Sequence, residues 1–157
     1  MNKPNQLKAH LLASVRALRD NPEQLSVFID NGNLATRLRA GLSFEYQYQL
    51  NLVFTDWSQH PNVVLVPLLA WLKVHQSELD EKAVQFEAEI LDKDKIDLSI
   101  TVPLTERVIV TTDSGGNYHT EHAAEPELEE NEIDPVLFQN LLDSAGQSFT
   151  PGQPDDG

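Results

Sequence analysis

A long alternation of apolar and polar residues dominates the first third of the chain. Between 42 and 55, every second position is apolar or aromatic: Leu42, Phe44, Tyr46, Tyr48, Leu50, Leu52 and Phe54. Only a β-strand places alternate residues on one face, so the pattern predicts a strand with one apolar and one polar face. Such a strand belongs to a sheet that helices cover on one side and water wets on the other.

A first helix is predicted over residues 4–19. Its leucines and valine recur every three or four positions, which places them on one helix face. Asn21-Pro22 ends the segment, because the residue before a proline is pushed out of the helical region.

A second helix is predicted over 60–76, and it is apolar nearly all round. Pro67 would kink this helix or mark its start. A helix that covers a sheet needs only one apolar stripe, so the second apolar side must contact the first helix, the tail or another subunit. A fully buried core helix is equally compatible with the pattern. The candidate interface residues on this helix are Val63, Val64, Pro67 and Trp71.

Shorter alternating or β-branched runs predict the remaining strands. They lie at 25–30, 84–90, 96–102, 105–112 and 118–122. Asn31-Gly32-Asn33 is a turn signal after the first run, and the polar segment 92–95 joins the second and third runs as a β-hairpin. The order of elements predicts an α+β fold: a mainly antiparallel sheet of about five strands, covered on one face by two helices.

Charge divides the chain unevenly. The 157 residues carry a formal net charge of -14. Residues 1–107 hold 11 Lys and Arg against 14 Asp and Glu, a net of -3, whereas 108–157 hold 11 acids and no Lys or Arg, a net of -11. Proteins that bind nucleic acids or anionic membranes present basic surfaces, so the charge argues against both partners. We expect a domain at 1–122 and an acidic tail at 123–157, with a short helix near 136–143.

The location of the protein is constrained by what the sequence lacks. It has no cysteine, which fits a reducing compartment. No apolar run follows Lys3 as in a signal peptide, and the longest apolar run is about half of a bilayer span. We expect a soluble protein made inside the cell.

Motifs of catalytic chemistry are absent: the sequence contains no GxGxxG, P-loop, HExxH or GxSxG. His119 and His122 could suggest a metal site, but on a strand they point to opposite faces, so none is predicted. We therefore expect no enzyme, no catalytic residues, no metal and no cofactor.

Two sets of charged residues are candidates for assembly. Glu87, Glu89 and Asp97 occupy the polar positions of the predicted hairpin and form a candidate acidic outer face. Arg37 and Arg39 precede the long strand and are candidates for ion pairs at an interface.

Several stretches, in this order, resemble the tail completion protein R family of temperate contractile-tailed phages and prophages. They are KPNQLKAHL, ALRDNPEQL, FIDNG, GLSFEYQYQLNLVFTD at 41–56, VPLLAWLKVHQ at 66–76 and FEAEILDKDKIDLSITVPLTERVIV at 86–110. The resemblance covers about residues 3–122 and does not extend to the tail.

This resemblance implies a structural role in virion assembly. The expected task is to cap the head-proximal end of the tail, stop its polymerisation and enable joining to the head. Similarity to tail terminators implies a ring of six identical subunits, which contacts tail tube or sheath proteins and head–tail connector proteins. The protein would occupy the host cytoplasm during assembly and the virion tail afterwards. Termination of the tube, termination of the sheath and a connector adaptor role remain open.

The acidic composition supports two further hypotheses. Acids that face the lumen of a ring would let DNA pass without gripping its phosphates. Alternatively, an acidic protein of this size could imitate DNA and inhibit a DNA-binding host protein. The second hypothesis requires carboxylates fixed at regular spacing, whereas 11 of the 25 acids lie in the C-terminal third.

Overall fold

The computed structural model describes residues 1–124, which form one five-stranded sheet with helices on one face. The helices are α1 (Lys3–Ser14), α2 (Arg16–Asp20) and α3 (Asn62–His75), with a short 3₁₀ helix at Pro22–Gln24. The strands are β1 (Leu25–Thr36), β2 (Phe44–Trp57), β3 (Gln85–Ile90), β4 (Ile96–Thr112) and β5 (Tyr118–His122). The predicted α+β class is confirmed, and the helix predicted near 136–143 lies outside the described residues.

All strand pairs of the sheet are antiparallel. The strand order is β1-β2-β4-β3, and β5 pairs with the last part of β4. Val108 of β4 pairs with Phe44 of β2 and also with His122 of β5. β5 therefore lies on the same edge of β4 as β3, beyond the point where β3 ends.

The core lies between the helices and one face of β2 and β4. The register sets Leu50, Leu52 and Phe54 of β2 opposite Val102, Ile100 and Leu98 of β4, and all six are at most 1% exposed. The helices add the fully buried side chains of Leu7, Leu11, Leu18, Val64 and Leu68. Each such side chain adds about 1.5–3 kcal/mol to the free energy of unfolding, because folding removes it from water. The alternation at 42–55 predicted this face correctly.

The prediction of one helix over 4–19 was wrong at Val15. Its backbone is extended (φ -113°, ψ 108°), and this residue separates α1 from α2. The Val15 N–H still donates to Leu11 O, and its carbonyl accepts from Leu18 N and Arg19 N. This one extended residue ends the first helix and precedes the second, and the predicted apolar face, Leu7, Leu11, Val15 and Leu18, is buried.

The predicted turn at Asn31-Gly32-Asn33 is a β-bulge instead. β1 continues through these residues to Thr36, and its register against β2 shifts between Asp30 and Asn33. Asn31 has φ 52°, in the left-handed region that asparagine tolerates better than most residues. The turn signal was real, but it marks the extra residue of a bulge, and the chain reverses only at 37–43.

The predicted strands at 96–102 and 105–112 are one continuous strand, β4, which passes through Pro103. A proline in a central strand removes a ladder hydrogen bond unless its nitrogen faces an unpaired edge. β3 pairs with β4 only as far as Thr101, and β5 pairs with it only from Val108 onward. Between these two residues, this edge of β4 has no strand partner. Gln76 fills the gap: its Oε1 accepts from Thr105 N at 3.2 Å, and its Nε2 donates to Thr105 Oγ1 at 2.9 Å.

The second apolar side of α3 packs within the chain. Val64, Pro67, Leu68 and Trp71 are all buried, and α1 lies beside α3. The ring nitrogen Nε2 of His10 on α1 lies 3.0 Å from the Pro67 carbonyl oxygen. Pro67 lies inside α3 and does not mark its start.

Candidate assembly surfaces

Half of the sheet extends beyond the helical layer. We call this part the distal arm and define it as residues 33–47 and 107–122. Its β1 and β5 segments are exposed throughout, in contrast to the buried centre of β2. Phe44 and Tyr46 pack edge to face there with ring centroids 5.2 Å apart, and both remain half-buried. Aromatic side chains that the subunit only half covers can gain further burial from a partner.

An apolar hollow of about 250 Å³ lies where the distal arm meets the helical half. Its lining residues include Met1, Ile29, Leu34 and Tyr46. Leu34 is 55% exposed and Met1 is 47% exposed, so the hollow is open to solvent. We call this set the β1 patch.

A second apolar surface lies at the opposite edge of the sheet, on β3. Phe86 and Ile90 pair with the core residues Ile100 and Ile96, so they face the helical side. The helices do not reach them: Phe86 is 65% exposed, Ile90 is 79% exposed and the adjoining Leu91 is 43% exposed. These three residues form the β3 patch.

The helix-free face of the sheet forms an open groove of about 860 Å³ across all four long strands. Its floor contains Asn51 and Thr101, and its walls contain Phe28, Asp30 and Glu87. Thr101 Oγ1 donates to Asn51 Oδ1 at 2.7 Å, and Asn51 Nδ2 donates to Asp30 Oδ2. This chain of hydrogen bonds across three strands fixes the polar floor.

The structure separates the roles of the three predicted acidic residues. Glu87 and Glu89 are exposed on β3, with Glu87 opposite Ser99 and Glu89 opposite Asp97. Asp97 is half-buried, and its Oδ1 accepts a hydrogen bond from Asp56 N at 3.0 Å. Asp56 has φ 50° at a bulge in β2, between Phe54 and Trp57, so Asp97 supports that backbone conformation.

A buried polar cluster anchors the start of the chain to the sheet. Glu106 is only 5% exposed, and its two carboxylate oxygens accept from Asn2 N and from Tyr48 OH, each at 2.6 Å. His122 Nδ1 lies 3.6 Å from Glu106 Oε1. Burial raises the pKa of Tyr48 far above its ordinary value, and the hydrogen bond to Glu106 raises it further, so the phenol remains a donor. The cluster thus joins α1, β2, β4 and β5 at the base of the distal arm.

Replacing Glu106 with alanine is expected to lower the free energy of unfolding by about 2–3 kcal/mol. The change leaves the buried Tyr48 hydroxyl without its acceptor, which costs about 1–3 kcal/mol, and also removes the acceptor of the part-buried Asn2 N–H bond. Urea unfolding measures the effect. Glu121→Ala, on the exposed β5, is the matched control and should change stability by less than about 0.5 kcal/mol. Equal, small effects of both variants would contradict the role assigned to Glu106.

The turn between β4 and β5 is held by Asp113. Its Oδ1 accepts from Gly115 N at 2.9 Å and Asn117 N at 3.0 Å, and its Oδ2 lies 2.8 Å from His119 Nε2. The hydrogen bond to His119, aided by the one from Asn117, lowers the pKa of Asp113 from 3.8 to about 2. Because the folded pKa is depressed, the carboxylate contacts support the turn above pH 3.8 and are lost as the pH falls through about 2.

This arrangement predicts a titration that NMR can follow. In the native chain, the amide signals of Gly115 and Asn117 should shift with a midpoint near pH 2. In His119→Ala the midpoint should rise toward 3.8, because the largest cause of the depression is removed. Identical midpoints in the two proteins would show that His119 does not hold the carboxylate.

The interface residues predicted on α3 have different positions in the subunit. Val64, Pro67 and Trp71 are buried in the chain's own core, whereas Val63 is 36% exposed. The other exposed apolar residues of α3 are Leu69 and Val74. Residue 69 lies six positions from 63 and five from 74, so the three do not form one helical stripe.

Arg37 and Arg39 both lie in the exposed loop at the tip of the distal arm. No ion pair within the described part of the chain involves either arginine.

Residues that only the fold brings together were beyond sequence reasoning. Glu106 meets Tyr48 across 58 positions and Asn2 across 104 positions. His60, by contrast, acts locally at the start of α3, where its Nδ1 accepts from Asn62 N at 3.1 Å.

No group of three or more metal-ligating side chains occurs among residues 1–124. Within the same residues, no helix is long and apolar enough to cross a membrane. The surfaces that remain are contact surfaces: two apolar patches, a groove and a basic loop.

A protein-family model described as P2 phage tail completion protein R (GpR) matches residues 1–126. This chain belongs to that family. The tail completion protein R of Escherichia phage P2 is 37% identical over 132 residues, which are 80% of this chain and 84% of the phage protein. No solved structure matches. The family resemblance seen in the sequence is confirmed.

Family membership makes this chain a structural protein of phage tail completion and not an enzyme. It places the chain in the virion tail, with tail components as its partners. The surfaces of this tail completion protein are therefore to be understood as contacts within a particle.

Proposed function

We propose that this tail completion protein caps the head-proximal end of the tail as a ring of identical subunits and enables joining to the head. One observation carries the proposal. The subunit exposes two different apolar patches, the β1 patch and the β3 patch, at opposite edges of one sheet. A closed ring requires such a pair, because each subunit contacts its neighbours through two unlike surfaces.

The sheet edges support the same arrangement. β1 and β3 each pair with one strand only, so within residues 1–124 both outer edges retain unpaired backbone groups. Exposed edge strands are templates for pairing with another chain. The apolar side chains of Leu34 at one edge and Ile90 at the other would be covered by the same contact. Similarity to tail terminators suggests six subunits.

A cap must also contact the tail below it and the head above it. Most side chains of the distal arm are exposed or half-buried in the subunit, so the arm can contact other proteins. The polar cluster of Glu106 fixes the base of the distal arm. Val63, Leu69 and Val74 of α3 give a smaller exposed surface for a tail or connector protein.

The proposed function is tested by removing the gene and examining the particles by electron microscopy. We expect normal heads beside unattached tails, or tails of abnormal length. Abnormal length would favour termination, and normal length without attachment would favour an adaptor role. Particles that assemble normally without the gene would refute the proposal. Inhibition of a DNA-binding host protein would then be examined, because the acidic chain could imitate DNA.

A further inference from the structure

The groove on the helix-free face combines carboxylates with apolar side chains. Asp30 and Glu87 stand on β1 and β3, on opposite sides of the floor that β2 and β4 provide. Phe28 is 54% exposed beside Asp30, and Val53 adds apolar surface. No Lys, Arg or His lines the groove. Its occupant should therefore be cationic and partly apolar.

The loop at the tip of the distal arm has the matching composition. Arg37 and Arg39 flank Leu38, which is 71% exposed. Leu42 of the same loop is 48% exposed. The loop thus presents two guanidinium groups on either side of an apolar side chain, and no ion pair among residues 1–124 involves either of them.

The loop cannot reach the groove of its own subunit. β2 begins at Phe44 beside the loop, and Asn51 in the groove floor lies seven residues further along the same strand. Seven residues of strand span roughly 23 Å. Because both surfaces belong to one rigid sheet, the loop and the groove remain this far apart. Complementary surfaces that are held apart in one chain can meet only between two copies.

We propose that the Arg37–Arg39 loop of one subunit inserts into the groove of a second copy of this chain. The contact rests on the proposed ring and adds a second contact between its subunits to that of the two apolar patches. The two guanidinium groups lie against Asp30 and Glu87. The paired N–H donors of an arginine fit the two oxygens of a carboxylate. Leu38 packs against Phe28. Glu87 then belongs to a subunit contact and not to the wall of a DNA channel.

Disulfide trapping tests the contact directly, because the chain contains no cysteine and has no background reaction. Leu38→Cys is combined with Phe28→Cys, in the groove at the residue that Leu38 contacts in the proposal. The full chain with both changes replaces the native protein in a host that assembles tails, and purified tails are run on a non-reducing gel. We expect a ladder beyond the dimer. Each single variant can give a dimer at most.

A matched pair controls for random collision. Leu38→Cys with Ala9→Cys keeps the loop cysteine but moves the second thiol to the exposed side of α1. This pair should give no ladder. A ladder of equal strength from both pairs would overturn the inference.

Charge exchange provides a second, independent test. Arg37→Glu with Arg39→Glu reverses the charge of the loop, and Asp30→Lys with Glu87→Lys reverses the charge of the groove. Each pair of changes should reduce trapping or tail completion by about 10-fold or more, because like charges then meet. Coexpression of the two reversed chains, or all four changes in one chain, should restore it. Urea unfolding verifies that each variant is folded, and failure of both rescues would contradict the contact.

The outcomes separate this inference from the proposed function. If microscopy shows rings at the tail end but only the control pair of cysteines forms a cross-linked ladder, the proposed ring is supported and the loop–groove contact is wrong. If Leu38→Cys traps a different tail protein, the loop binds that partner and the inference is likewise wrong. If tails are complete without the gene, the proposed function fails and the contact fails with it.

Discussion

Replacing Phe54 with alanine is expected to lower the free energy of unfolding by about 3–5 kcal/mol. Phe54 is fully buried in the last part of β2, between Leu25 of β1 and Leu98 of β4. Its ring also packs edge to face on Trp57, with centroids 5.7 Å apart. Removing it leaves a cavity under the helices that a rigid sheet cannot close. Domains are stable by only about 5–15 kcal/mol, so this one change threatens the fold.

The neighbouring residue provides the control for this prediction. Val53 lies on the same strand but faces the groove and is half-buried. Val53→Ala should cost less than about 1 kcal/mol, because it removes less buried surface and opens no enclosed cavity. Urea unfolding of both variants decides the matter. A similar loss of unfolding free energy in the two variants would mean that the core does not lie on the helical side of the sheet.

The second large effect concerns assembly. Phe86→Asp combined with Ile90→Asp is expected to lower the yield of infectious particles by at least about 30-fold, with little change in subunit stability. Both side chains are more exposed than buried in the subunit, so the subunit itself tolerates the charges. A buried apolar contact between subunits would not tolerate these charges. The loss of one hot-spot contact costs about 2 kcal/mol of binding free energy, which corresponds to about 30-fold. A titre assay in a complemented host measures the yield, and urea unfolding measures stability.

Leu69→Asp tests the competing surface on α3. Leu69 is 44% exposed and apolar, but it lies on α3 and belongs to neither apolar patch of the sheet. We expect a much smaller fall in titre than from the β3 changes. A larger fall from Leu69→Asp would assign the principal contact to α3, as the apolar run at 63–74 first suggested.

Patterns confined to neighbouring residues predicted most of the fold. The alternation at 42–55 identified the apolar face of β2, and the hairpin of β3 with the first part of β4 followed from its polar turn. The errors arose where a local signal was real but its context decided the outcome. Val15 has the spacing of a helix residue but interrupts the helix, and Asn31 carries a turn signal inside a strand. The break predicted between 102 and 105 is absent because β4 passes through Pro103 where neither β3 nor β5 pairs with that edge, and no local pattern shows where those strands pair.

The assembly surfaces were only partly visible in the sequence. Arg37, Arg39 and Glu87 could be named as candidates, but nothing local shows that the loop and the groove lie at separate positions on one sheet. The patches depend on which apolar residues the helices fail to cover, and that is a property of the packed layers. Phe86 and Phe54 have similar sequence surroundings, yet one is 65% exposed and the other fully buried. The Glu106 cluster depends on residues from both ends of the domain.

Labelling with gold-conjugated antibodies against this chain, viewed on purified tails by electron microscopy, tests the central claim most directly. The account predicts label at one end of each tail, the end that joins the head, and loss of that label from tails made without the gene. Label along the whole tail, label at the opposite end, or complete tails without any label would contradict it.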